Sequence, residues 1–277
     1  MTRAMEFCSQ LDLPIMAHCE DLELSRYGSL NEGAMSAMLG LKGMPRSAEE
    51  IMVMRNCLLA LHTGCQVHIM RVSTWGAVEM IRQAKYLGAR VTCEICPHHF
   101  TLTEEAVGEF NPIFKTTPPL RTQHDLDILL QAIADGTVDC IASDHSPHAD
   151  YEVQVPFDEA PFGMAGLESA VGVTLTELTH KGILTPLDTI RKLSTAPAEI
   201  LRLDAGTLQP FETPVAQVTL IDPDYEWVFD VNRTFSRGKN NPFHGRELKG
   251  KVMMTISGGE IYRDAHFEER RITALRV

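Results

Sequence analysis

Asp139-Cys140-Ile141-Ala142-Ser143-Asp144-His145-Ser146-Pro147-His148 is the stretch on which the reading of this chain turns. An apolar run from Val138 to Ser143 closes on an aspartate with two histidines close behind, as expected of a strand that carries chemistry at its carboxyl end. Asp144 in that setting can bind a metal and work as a base toward metal-bound water. The plain alternative is that Asp144 caps the next element and that His145 and His148 are solvated.

The same pattern repeats outward. Short β-prone runs at 14–17, 66–72 and 90–95 are separated by segments of helical spacing at 48–62, 74–87 and 123–134, the βαβα order of a parallel sheet. Polar residues follow each run: His18-Cys19-Glu20-Asp21, Arg71-Val72-Ser73-Thr74 and Cys96-Pro97-His98-His99. Polar groups at successive carboxyl ends define one face of a (β/α) barrel or open sheet as the site. Helical patterns at 167–180 and 186–203 come next, and short strands at 217–221, 226–229, 251–257 and 260–262 then form a small β module.

The chain has 277 residues, 44% of them hydrophobic and 22% charged, the composition of a folded globular protein. A formal net charge of -12 with scattered basic residues argues against nucleic acid as a partner. Seven cysteines, no secretory leader and no run of about 18 apolar residues point to a cytoplasmic protein with reduced thiols and no membrane span. No phosphate-cradling glycine pattern and no G-x-S-x-G elbow occurs, so nucleotide binding and serine-hydrolase chemistry lack support.

His18 closes its strand with two carboxylates behind it; as a neutral imidazole it suits zinc, and it serves equally as a satisfied structural histidine. Cys93-Glu94-Ile95-Cys96 suggests a zinc knuckle, but there is no second pair, and residues three apart on a strand face opposite ways. Both cysteines are therefore expected to be buried core. The methionines from Met35 to Met54 read as packing.

The ordered set His18-Cys19-Glu20-Asp21, Asn31-Glu32-Gly33, Leu39 to Pro45, Val72-Ser73-Thr74, Pro97-His98-His99, Pro118-Pro119-Leu120-Arg121, Asp139 to His148 and Ala160-Pro161-Phe162-Gly163 resembles the class I dihydroorotases of the amidohydrolase superfamily. The resemblance implies the second half of a (β/α)8 barrel over residues 1–204 and a C-terminal β module and tail over 205–277. It further implies a binuclear zinc site that interconverts dihydroorotate and N-carbamoyl-L-aspartate. By the same resemblance Asp144 shuttles the proton and, with His18, ligates metal. His148, Pro161, Gly163 and Thr117 contact substrate.

Three departures qualify this. The His-x-His of the family's first strand is not found in this sequence, so the chain is expected to begin inside the fourth β/α unit, with 1–11 as the tail of a helix. Arg71 occupies the position of the sixth-strand histidine ligand, and a guanidinium has no lone pair for zinc. His68, three residues earlier, is expected on the other side of the strand unless a bulge intervenes. Thr117 replaces an asparagine. The isolated chain is thus expected to have little or no activity, and its open sheet edges to favour association, as a homo-oligomer or otherwise. The alternatives are a non-catalytic scaffold for aspartate carbamoyltransferase and a hydantoinase- or allantoinase-like enzyme on another cyclic amide.

Overall fold

The computed structural model describes residues 1–203 and 217–264, so the expected domain boundary at 204/205 and the tail beyond 264 lie outside the described residues. The strands are β1 (Ile15–His18), β2 (Leu30–Asn31), β3 (Gly43–Met44), β4 (Val67–Met70), β5 (Val91–Ile95), β6 (Cys140–Ile141), β7 (Val218–Val228), β8 (Glu247–Ser257) and β9 (Glu260–Arg263). The α-helices are α1 (Thr2–Gln10), α2 (Leu22–Ser25), α3 (Ala34–Leu39), α4 (Ser47–Thr63), α5 (Trp75–Tyr86), α6 (Gln123–Ala134), α7 (Asp150–Val153), α8 (Leu167–Thr174), α9 (Pro186–Ile190) and α10 (Ala196–Leu201).

One parallel sheet, in the order β1-β4-β5-β6, organises the first 203 residues. Its two faces differ as the pleat requires. Ala17, Val67, Ile69, Val91, Cys93, Ile95 and Ile141 are buried in the main core with Val53, Cys57 and Ala60 of α4, Val78 and Ile81 of α5, and Leu129 and Ile133 of α6. Each such aliphatic side chain contributes roughly 1.5–3 kcal/mol on burial. The residues between them, Met16, His18, His68, Thr92, Glu94 and Cys140, share the opposite face, which is polar.

The helices start and stop where local chemistry directs. Thr74 accepts from the Ala77 amide to open α5, and Thr122 with Asp125 forms a reciprocal capping box on α6. Gly64 closes α4 in the left-handed conformation.

Several expected boundaries shift. β4 stops at Met70 because Arg71 turns to φ 53°. The expected strand 138–143 pairs formally at two residues, flanked by hydrogen bonds from the Asp139 amide to the Cys93 carbonyl and from the Ala142 amide to the Ile95 carbonyl, both 3.0 Å. The two strands expected at 217–221 and 226–229 are one irregular strand, β7, whose register slips between Asp222 and Glu226, around Pro223, which has no amide to donate. The helix expected over 167–180 begins as α8 and then widens into a π-helical stretch, Leu175–Thr179.

β7, β8 and β9 form an antiparallel sheet that packs on α8. Gly172 makes the close approach possible, since a Cβ there would sit 3.1 Å from both Leu248 and Trp227. All seven cysteines are free. Among the described residues no helix is long and apolar enough to cross a membrane.

Candidate active site

Because β1, β4, β5 and β6 run parallel, their carboxyl ends bring distant residues to one edge. Asp144 lies just past β6 at φ 48°, its side chain 9% exposed. Arg71, just past β4 and also in the left-handed region, donates from Nη1 to Asp144 Oδ1 at 3.1 Å and to the Thr117 carbonyl at 3.0 Å. Burial holds the Asp144 carboxyl above its ordinary value, while Arg71 pulls the other way. Asp144 Oδ2 lies 3.7 Å from His98 Nε2.

His68 corrects the sequence expectation. It lies on the same polar face as His18, two positions away along the paired strands, with Nδ1 2.8 Å from Thr92 Oγ1 and Nε2 3.1 Å from Glu94 Oε2. Strict alternation would have turned Arg71 the other way; leaving extended geometry at 71 sends it to Asp144 instead.

His18 Nε2 meets Glu20 Oε2 at 3.0 Å, and that hydrogen bond draws the Glu20 pKa down. Thr117 lines a narrow pocket with His18, Cys19, Glu20, Glu49 and Arg121. Beside it, a cleft of about 460 Å³ is lined by residues including Arg26, Tyr27, Lys115 and Phe162.

His148 and the 161–163 loop come together. His148 Nε2 is 3.0 Å from the Phe162 carbonyl, and the Gly163 amide donates to the Lys115 carbonyl at 2.8 Å. Asn240 ties this corner down: its amide group donates to the Ser146 and Gly163 carbonyls, and its Oδ1 accepts from the His148 amide. His145 accepts from the Leu167 amide at the start of α8. Pro161 opens this loop, half-buried.

Beneath the edge runs a buried ionic network that sequence reasoning did not find. Glu49 accepts from the Ser73 and Thr74 amides and the Ser73 hydroxyl, and Arg121 reaches Glu49, the Ser73 hydroxyl, Asn31 Oδ1 and the Met44 carbonyl. Asn31 in turn donates to Glu104 at 2.5 Å. These partners are up to 90 residues apart, so no local spacing announces them.

Two groups of donors among the described residues are close enough to hold a metal ion: His68, Glu94 and Cys140, and Cys96, His98 and His99. Cys93 is not part of either. It faces the helices and contacts the Thr137 carbonyl, while Cys96 lies beyond the end of β5. Cys93 and Cys96 therefore make no knuckle, and Cys96 lies instead with the next two histidines. His99 is pushed down to about 3 and His98 well below its ordinary value, chiefly by burial; burial also drives the Cys96 thiol well up.

Residues 1–76 match the family model described as Dihydro-orotase-like. Over 261 residues, 94% of this chain, it is 49% identical to a dihydroorotase of Pelotomaculum thermopropionicum and 48% identical to one of Syntrophus aciditrophicus, covering 61% of each. The chain thus spans about three-fifths of the length of the curated relatives it matches. Among solved structures it is similar to a dihydropyrimidinase of Brevibacillus agri, with TM-score 0.83, 22% identity and coverage of 94% of this chain and 59% of that one. It is also similar to an L-hydantoinase of Arthrobacter aurescens, with TM-score 0.83, 24% identity, and coverage of 95% and 60%. The resemblance read from the ordered motifs is borne out, and so is the α/β barrel-type fold with its C-terminal β sheet.

Proposed function

We propose that this dihydroorotase-like chain serves in a cyclic amide hydrolase that interconverts dihydroorotate and N-carbamoyl-L-aspartate, a step of de novo pyrimidine biosynthesis in the cytoplasm. The observation that carries the reading is Asp144 at the carboxyl end of β6, its carboxyl raised by burial and facing the polar edge, in a chain 49% identical to a dihydroorotase. In ring opening Asp144 passes a proton to the departing ring nitrogen; in ring closure it takes one back. His148 and the Pro161-Phe162-Gly163 loop hold the substrate carboxylate, and Thr117 faces the ring. Substrates of the two structural neighbours do not bear on this, since identities of 22% and 24% speak for the fold alone.

The family's zinc pair would polarise the amide carbonyl and supply the attacking hydroxide. Of this chain's residues, His18 and Asp144 are the ones that would hold it. They do not fit that role as they stand. Arg71 engages Asp144 Oδ1 and itself offers no lone pair, so His18 and Asp144 alone leave a zinc short of the three protein ligands a catalytic site supplies. No step is therefore routed through zinc, and the chain by itself is expected to hydrolyse dihydroorotate little or not at all.

The Arg71–Asp144 pair also favours a second reading, a non-catalytic scaffold for aspartate carbamoyltransferase. A fusion separates the two. The part of the Pelotomaculum dihydroorotase that this chain does not cover is joined ahead of it, with Arg71 kept or changed to histidine. Under the enzyme reading Arg71→His raises zinc-dependent dihydroorotate hydrolysis by at least the roughly 10–100-fold that even the hydrogen-bond partners of metal ligands command. A folded, zinc-loaded Arg71→His fusion with no such hydrolysis defeats the enzyme reading, and co-sedimentation of that inert protein with the transcarbamoylase establishes the scaffold.

A further inference from the structure

Buried polar atoms without partners mark a place where something is missing from the hydrogen-bond inventory. Among the described residues, His98 Nε2 and His99 Nδ1 are two such atoms, on side chains with 1% and 3% of their surface exposed. They lie next to each other, their rings 4.2 Å apart, and the donors of Cys96, His98 and His99 all fall within 4.8 Å of one another.

The protonation of His99 is fixed by its other nitrogen. Nε2 lies 3.0 Å from the Pro118 carbonyl, which can only accept, so Nε2 carries the hydrogen and Nδ1 carries a lone pair. A backbone carbonyl on the far ring nitrogen is the usual support of a metal-ligating histidine. The second donor group behaves differently. His68 already spends both nitrogens, on Thr92 and Glu94, so that cluster is complete without an ion.

We infer that Cys96, His98 and His99 form a site for a borderline-soft divalent transition metal such as zinc, with three donors other than the His18 and Asp144 ligands of the dihydroorotase reading and Asp144 at its margin. Sulfur and imidazole donors select such ions over magnesium or calcium. A tetrahedral zinc with bonds near 2.0–2.3 Å needs its donors about 3.5 Å apart, so donors within 4.8 Å of one another have to close by about 1.3 Å at most. Asp144 Oδ2, 3.7 Å from His98 Nε2, faces the same space, while its Oδ1 is held by Arg71. The Cys96 thiolate supplies one negative charge toward the divalent ion, and Asp144 shares its own between the ion and Arg71. Binding is written as displacement of the Cys96 S–H proton to solvent, with no change of oxidation state.

The test uses this chain, stripped of metal under reducing conditions and titrated with cobalt(II) and then zinc. One equivalent of cobalt is expected to give a thiolate-to-metal charge-transfer band, and X-ray absorption of the zinc form one sulfur neighbour with nitrogen or oxygen for the rest. Cys96→Ser abolishes the charge-transfer band, and Cys93→Ser, whose thiol faces the helices, retains it. A wild-type spectrum without sulfur ligation overturns the proposal, whether or not any variant folds. So does a band that survives Cys96→Ser. None of these readouts depends on hydrolase activity, so the site and the proposed function can fail separately.

Discussion

Gly163 sits at φ 115° with its absent Cβ pointing 2.4 Å from Ser146 Cβ. Gly163→Ala therefore adds both backbone strain and a clash, and is expected to lower unfolding free energy by about 1–3 kcal/mol, measured in urea, with partial recovery when Ser146→Gly is added. His99 makes a pH prediction. Its folded value is held near 3 by burial, whereas the unfolded side chain titrates near its ordinary 6.5. Between those values the unfolded chain binds a proton that the folded chain refuses, so stability is full above pH 6.5 and falls as pH drops. The slope from this residue is about 1.4 kcal/mol per pH unit. Metal-free His99→Gln should show a slope between pH 6.5 and 5 flatter by that amount. An unchanged slope would mean that His99 is not buried as a neutral ring.

At the scale of elements, α6 depends on its capping box, in which Thr122 and Asp125 each satisfy the other's amide. Thr122→Ala should cost about 1 kcal/mol and leave the sheet intact, as thermal unfolding and circular dichroism would show. The Arg121 network is heavier. Arg121→Met leaves the buried Glu49 carboxylate without its counter-charge and Asn31 Oδ1 without its donor, and should cost about 3–5 kcal/mol, far more than any exposed arginine would. The parallel strands and their polar carboxyl ends were legible because the runs expected at 66–72 and 90–95 obey the pleat as far as Met70 and Ile95. What alternation could not reach lay just past the strand ends. Nothing in the residue type announces that Arg71 turns left-handed, and Cys96, His98 and His99 meet only because β5 has stopped at Ile95. Asn240 and Arg121 find partners tens of residues away, and such pairings leave no mark in local spacing.

For the molecule as a whole, β1 and β6 are the outer strands of the four-stranded sheet, and Met16 of β1 is 41% exposed on its polar face. An uncovered outer strand invites pairing with another chain. Sedimentation of this chain is expected to show association that grows with concentration, and Met16→Lys should reduce it without shifting the melting temperature. A monomer at every concentration would show that the edge is already blunted. Among the described residues the Asp144 corner is held both by nearby turns and by a distant part of the chain, Asn240.

Asn240 gives that last point a temporal meaning. The loop bearing Asp144 and His148 is clipped to the 163 turn by a side chain more than 90 residues downstream, on the segment that leads into β8. Contacts of such long sequence separation form late, after the entropy of closing the intervening loop has been met. On the ribosome the parallel sheet can therefore assemble while the site's corner is still open. Only when residue 240 has left the exit tunnel does that corner acquire its final shape.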